Sequence, residues 1–183
     1  MDSHEGAAIV QGDRSVLLEV DHPGYERARD VLVRFAEIEK SPEHVHTYRL
    51  SDLALWNAAA SGAEADDVVS ALRGISRFEV PSHVEHEVRD RMGRHGVCSL
   101  HDMAGDPDRL RLSVREVFLR ERLARDRHAS PMLVPCPDGF TIETRFRGAI
   151  KQALLSVGYP VDDRAGIAPG APLSVGLRSD VFT

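Results

Sequence analysis

VHTYRLSDLALWNAAASG, residues 45–62, changes backbone preference at one residue and sets the pattern of the first half of the chain. Val45 to Leu50 is β-branched and aromatic, which suits an extended strand. Ser51 then stands where a hydroxyl can accept a backbone N–H and open a helix. Asp52 to Ser61 supplies that helix, rich in alanine and leucine, and Gly62 ends it in the way glycine commonly does. Trp56 sits in this helix with Leu53 and Leu55 and is expected in the core, because its indole buries a large area. Tyr48 is likewise expected to pack and to use its hydroxyl as a polar handle.

Working outward toward the carboxy terminus, Ala65 to Arg73 reads as a second helix with Val68, Val69 and Leu72 as its apolar stripe. Pro81 opens a third, at a position where its missing N–H costs nothing, and Val84, Val88 and Met92 form that stripe. Gly96 supplies a left-handed stop, and VCSLHDM, 97–103, alternates like a strand. Three helices followed by a strand suggest a winged-helix-like arrangement. Toward the amino terminus, Ile9, Val10, Val16, Leu17, Leu18 and Val20 flank Gly12-Asp13, the chemistry of a hairpin turn. His22-Pro23-Gly24 breaks the hairpin, and a helix is expected from about Gly24 to Glu39.

The loop His101–Asp108 crowds turn formers and charges together and is the best expected boundary. Beyond it LRLSV is strand-like, REVFLRERLARD helical, HASPMLVPCPDG a proline-broken connection, FTIET a strand, and Arg147 to Val157 a helix ended by Gly158. The expected fold class is therefore α+β: a winged-helix-like helical subdomain with a short hairpin over 1–103, then a small α/β subdomain over 104–170. The Gly- and Pro-rich residues 171–183 read as a linker or tail.

Eighteen acids stand against nine bases in residues 1–90, and eleven against fourteen in 91–183, so the halves carry −9 and +3 of the net −6. Lys40 and Lys151 are the only lysines. Seven arginines against three acids give 109–127 a local +4 that can attract a phosphate backbone. No apolar run approaches the length of a membrane span and the amino terminus lacks a secretory pattern, so a cytoplasmic location is expected. Cys98 and Cys136 stand alone, which points to reduced thiols in core positions rather than a disulfide framework.

Motifs for chemistry are few. Residues two apart on a strand point the same way, so His44 and His46 could offer two imidazoles to one zinc, but no third ligand stands at a telling spacing. His83 and His86 share one helical face without a zinc signature around them. The sequence contains no GxSxG, no paired-cysteine cluster and no G-x-x-x-x-G-K-[ST], whose amides and lysine cradle phosphates. No catalytic residue, cofactor or metal is expected. On the third helix, with Val84, Val88 and Met92 turned inward, His86, Arg89, Asp90 and Arg94 face outward as a mixed surface.

Four blocks carry a resemblance: Ile9–Pro23 (IVQGDRSVLLEVDHP), Ala28–Gly62, SRFEVPSHV with VRDRMGRHG (76–84 and 88–96), and AIKQALLSVGYPVDDRAG (149–166). Together they resemble the amino-terminal region of bacterial XPB-type DNA repair helicases, from Ile9 to about Leu177. The resemblance implies an accessory module beside two RecA-like motor domains, in a family of 3′–5′ helicases of nucleotide excision repair. Partners implied are DNA, including distorted or forked DNA, the motor domains in cis or in trans, and a repair nuclease, with no membrane. The stretch Gly105–Pro137 departs from the pattern, as does Arg94-His95-Gly96-Val97. The resemblance gives His44-Val45-His46 an architectural role, setting the strand that leads into the Ser51-capped helix.

The first functional expectation is thus a non-catalytic accessory domain that engages DNA or regulates a motor. Its candidate DNA contacts are Arg89 and Arg94 on the third helix and Arg115, Arg120, Arg122, Arg125 and Arg127 in the basic segment. The alternative is a protein-interaction domain that docks a helicase or nuclease without touching DNA, favoured by the acidic first half. A third reading, a small metal-dependent hydrolase, rests on His44 and His46 alone.

Overall fold

The first sheet is built outward from one tight turn. A computed structural model describes residues 6–166, and the expected tail at 171–183 lies outside them. Strands β1 (Ala8–Val10) and β2 (Ser15–Glu19) form the expected antiparallel hairpin, with Ile9 opposite Leu17. Asp13 carries the turn: its Oδ1 accepts the Ser15 N–H at 2.9 Å, while Arg14 takes a φ of 69°. The Ser15 N–H, with the Ser15 side chain, holds the Asp13 carboxyl below the usual carboxylate range.

Helix α1 (Tyr25–Leu32) ends at Leu32, not at Glu39. Glu37–Lys40 becomes strand β3 instead, antiparallel to β4 (Val45–Arg49), with Ile38 opposite Tyr48. The segment's charges suit either state, so ladder pairing with β4 overrides its helical preference. Sheet order is β1-β2-β4-β3. Ser51 caps α2 (Asp52–Ala60) as expected, its Oγ accepting the Ala54 N–H at 3.1 Å. Two more helices follow, α3 (Ala65–Ile75) and α4 (Ser82–Gly93), the latter behind Pro81. Leu18, Leu32, Leu50, Leu55 and Leu72 are fully buried between this sheet and these helices, with Tyr48 among them. Trp56 is also buried and ties α2 to α4 through an Nε1–H donated to the Arg91 carbonyl at 3.0 Å.

Gly96, at φ 73°, ends the turn after α4 and releases β5 (Cys98–Met103). The expected boundary at His101–Asp108 is the turn between β5 and β6 (Asp106–Val114), which pair from Cys98–Val114 to Asp102–Leu110. Turn formers crowd there because a hairpin needs them; the last buried side chain of the first core is Met92 and the first of the second is Val97. Then come α5 (Val117–Arg125), β7 (Val134–Cys136), β8 (Gly139–Glu143), α6 (Arg147–Ser156) and β9 (Val161–Asp163). The order is β7-β8-β6-β5-β9, with β9 parallel to β5. Expected as a wing on the helices, β5 is therefore an inner strand of a second sheet. A side chain at Gly139, φ 153°, would put its Cβ 2.2 Å from the Leu112 carbonyl, so only glycine lets β8 lie against β6 here.

Both units are α+β in make-up, as the periodicities lead one to expect. Leu100, Leu112, Leu119, Ile142, Ile150 and Leu154 fill the second core. Asp163 locks its last strand to α6: Arg147 makes a two-pronged pair with it at 2.8 and 2.9 Å, and Lys151 adds a third bond at 2.8 Å. Among the described residues no helix is long and apolar enough to cross a membrane.

Candidate nucleic-acid interface

On α4 the arginines are bound into the protein. Arg89 Nε donates to Asp66 at 2.7 Å and lies 3.7 Å from Glu85. Glu85, buried, takes two hydrogen bonds from Arg73 at 2.5 and 2.6 Å, and that guanidinium holds its carboxyl below the usual range despite burial. Arg94 Nη2 donates to Asp90 at 2.8 Å and Nη1 to the Gly158 carbonyl at 3.3 Å. Its guanidinium stacks over the Tyr159 ring at 5.2 Å. Arg94 is thus half-buried between α4 and the end of α6 and does not stand on the outward face expected of it. A phosphate contact from either residue would first have to displace a carboxylate.

The α5 segment is different. Leu119 and Leu123 anchor the helix to the second core. Arg120 points inward: Nη1 donates to the Pro137 carbonyl at 3.0 Å, and its Nε is buried without a partner. Arg125 lies 3.7 Å from Glu121 one turn back. Arg115, Arg122 and Arg127 are exposed and make no ion pair among the described residues; Arg127 Nε donates to His128 Nε2 at 3.3 Å. Of the seven candidate contacts, then, three present free cations, and all three flank α5 or lie on it.

Sequence reasoning missed the aromatic side chains in this surface. Phe118 is 56% exposed and packs edge-on against Tyr159, ring centroids 6.4 Å apart. Tyr159 is buried and donates its hydroxyl to Glu116 at 3.2 Å. A signal existed: in REVFLRERLARD the core stripe needs only Leu119 and Leu123, so Val117 and Phe118 are apolar residues in excess of what the helix can bury.

The histidines separate. His46 lies on the inner face of β4 with Tyr48, and its Nδ1 shares a hydrogen bond with the Tyr25 hydroxyl at 3.0 Å. His44 precedes the strand and faces Asp21 at 3.2 Å, exposed. His83 Nε2 meets the Gly12 carbonyl at 2.9 Å, against the hairpin turn, whereas His86 stays in solvent. Among the described residues no three His, Cys, Asp or Glu side chains come together as a metal cage. Burial and the nearby Glu116 push the Cys98 thiol up to about 12, so it remains protonated and serves as a core residue.

The family model described as "Helicase conserved C-terminal domain" matches residues 8–135. The chain is 39% identical over 178 residues to "DNA 3'-5' helicase XPB" of Kineococcus radiotolerans, covering 96% of this chain and 32% of that protein. The protein of the same description from Mycobacterium tuberculosis matches with the same identity and coverage. "General transcription and DNA repair factor IIH helicase/translocase subunit XPB/SSL2" of Saccharomyces cerevisiae is 30% identical over 92 residues, half of this chain and 11% of that protein. The chain spans about a third of the length of the curated bacterial relatives it matches. The family's description speaks of a carboxy-terminal helicase domain and lends no support to the amino-terminal placement drawn from the resemblance. Matched over most of its length by that family model and by XPB-type helicases, the chain belongs to the helicase conserved C-terminal domain family.

Proposed function

We propose that this chain is a non-catalytic accessory part of an XPB-like 3′–5′ DNA helicase, engaging DNA and steering a motor carried elsewhere. The observation that supports it most is the similarity along 96% of the chain to proteins described as DNA 3′–5′ helicases. A sequence without G-x-x-x-x-G-K-[ST] fits that division of labour, and its two lysines serve otherwise: Lys151 pairs with Asp163 and Lys40 lies on edge strand β3. In this reading α2, α3 and α4 form the helical part of a winged-helix-like unit, and Arg115, Arg122 and Arg127 meet the phosphates of distorted or forked DNA. The motor domains, in cis or in trans, and a repair nuclease are the protein partners.

Filter binding of forked DNA across a salt series tests the DNA role. Affinity is expected to fall as salt rises, by counterion release; no salt-sensitive binding removes the role. Turnover of ATP by the purified 183-residue chain would overturn the accessory reading. The flanking reading frame decides the placement: motor motifs encoded after Thr183 put the chain on the amino-terminal side, and motor motifs encoded before Met1 refute that.

A further inference from the structure

The α5 surface combines features that a solvated basic helix does not need. Phe118 holds its ring 56% exposed although Leu119 and Leu123 already satisfy the core. The ring is also braced. Tyr159 supports one edge at 6.4 Å, and Tyr159 in turn is fixed by its hydroxyl on Glu116 and by the Arg94 guanidinium over its ring. Arg115 stands two residues before this helix, its guanidinium beside Gly96. Arg122 follows Phe118 by one helical turn. Neither arginine has an ion-paired carboxylate among the described residues, while the nearby acids are engaged: Glu116 by Tyr159, Asp90 by Arg94, Glu121 by Arg125, and Asp126, whose charge Arg122 feels, by the His128 and Ala129 N–H groups.

We infer that the braced ring of Phe118, with Arg115 three residues before it in the sequence and Arg122 one helical turn after it, is a stacking platform for an unpaired nucleobase, so that this face prefers single-stranded DNA to intact duplex. The inference rests on the DNA-binding reading above and adds to it the form of nucleic acid and the side chain that recognises it. An aromatic face stacks on any base without reading its edge, and adjacent guanidinium groups hold the flanking phosphates. Inside a duplex both faces of a base are already stacked on its neighbours, so Phe118 finds no partner there. Bracing matters because a ring already ordered loses little freedom on binding. One stacked base is expected to favour the single strand by roughly five- to hundredfold.

The test uses the full chain with a fluorescein-labelled single strand and its blunt duplex at one salt concentration. Phe118→Ala is expected to bring the single-strand to duplex affinity ratio close to one, and Phe118→Trp to retain the preference. Tryptophan at 118 also reports contact directly: its emission should be quenched by the single strand, against a constant background from Trp56, the only native tryptophan, which is buried. Circular dichroism confirms that each variant keeps its fold, as an exposed site permits. If Phe118→Ala leaves the ratio unchanged while salt-sensitive binding of both DNAs persists, the stacking inference fails and the DNA reading stands. If neither DNA is bound, both fail. If Phe118→Ala instead breaks association with separately made motor domains and leaves single-strand binding intact, the patch is a protein dock and the inference falls.

Discussion

Around α4 every candidate arginine is paired with a carboxylate, whereas around α5 some are engaged and others are not. On α4, Arg89 and Arg94 are held by Asp66, Glu85 and Asp90, and Arg91 sits 3.4 Å from Asp52. Along α5, Arg115, Arg122 and Arg127 make no such pair among the described residues. The first region has acids to spare and holds its arginines in ion pairs within α4 and to α2 and α3; the second pairs Arg125 with Glu121 and leaves Arg115, Arg122 and Arg127 without one among the described residues. A guanidinium's availability is thus set by the carboxylates that the fold brings near it, and charge counted along the chain measures only the upper limit.

The comparison breaks most severely if α5 is not seated on the second core. Leu119→Ala deletes its fully buried anchor and should destabilise that core by about 2–5 kcal/mol, read from the midpoint of urea unfolding; an unmoved midpoint would mean that α5 is not docked. Next comes the lock on β9. Asp163→Asn should cost roughly 1.5–3 kcal/mol by weakening charged hydrogen bonds to Arg147 and Lys151.

Acid sharpens the same point. Burial alone would raise the Asp163 carboxyl, but hydrogen bonds from Arg147 and Lys151 outweigh it and hold the group below its ordinary 3.8. A depressed folded-state pKa means a stabilising contribution that is complete above the ordinary value and lost as pH falls through the folded one. Glu85 on α4, lowered from 4.5 by Arg73, behaves alike, so both regions should lose stability below about pH 4. Thermal melts of wild type and Asp163→Asn should converge there; a gap that persists undiminished at low pH would count against this account.

A smaller effect belongs to the first region alone. Ser51→Ala removes the α2 cap and should cost about 1 kcal/mol, restored in part by Ser51→Asp, as read by chemical denaturation. The subtlest change concerns DNA. Arg122→Gln should lower the slope of log affinity for a single strand against log salt by about 0.7, one phosphate's worth, whereas Arg89→Gln should leave it unaltered. Equal effects at the two positions would erase the distinction between the helices.

Much of the architecture was legible because local chemistry and final structure agree. The Gly12-Asp13 turn, the Ser51 cap, the stops at Gly62, Gly96 and Gly158 and the stripes of α3 and α4 lie where their residues predict. Illegible parts depended on distant partners. Glu37–Lys40 became a strand because β4 offered it a ladder, and β9 is too short to announce itself without β5 beside it. In the candidate interface, the basic segment was visible in composition. The pairing of Arg89 with Asp66, 23 residues away, and the meeting of Phe118 with Tyr159 were not.

By itself, the order of residues determined where the backbone turns, where α2, α3 and α4 begin, which side chains are too apolar for water, and how charge divides between the halves. Those properties arise from neighbours within a few bonds or one helical turn. Only the tertiary structure decided which arginines stay free and that one phenylalanine stands braced at the surface, because ion pairing and ring packing act over a few ångströms in space between groups far apart along the chain.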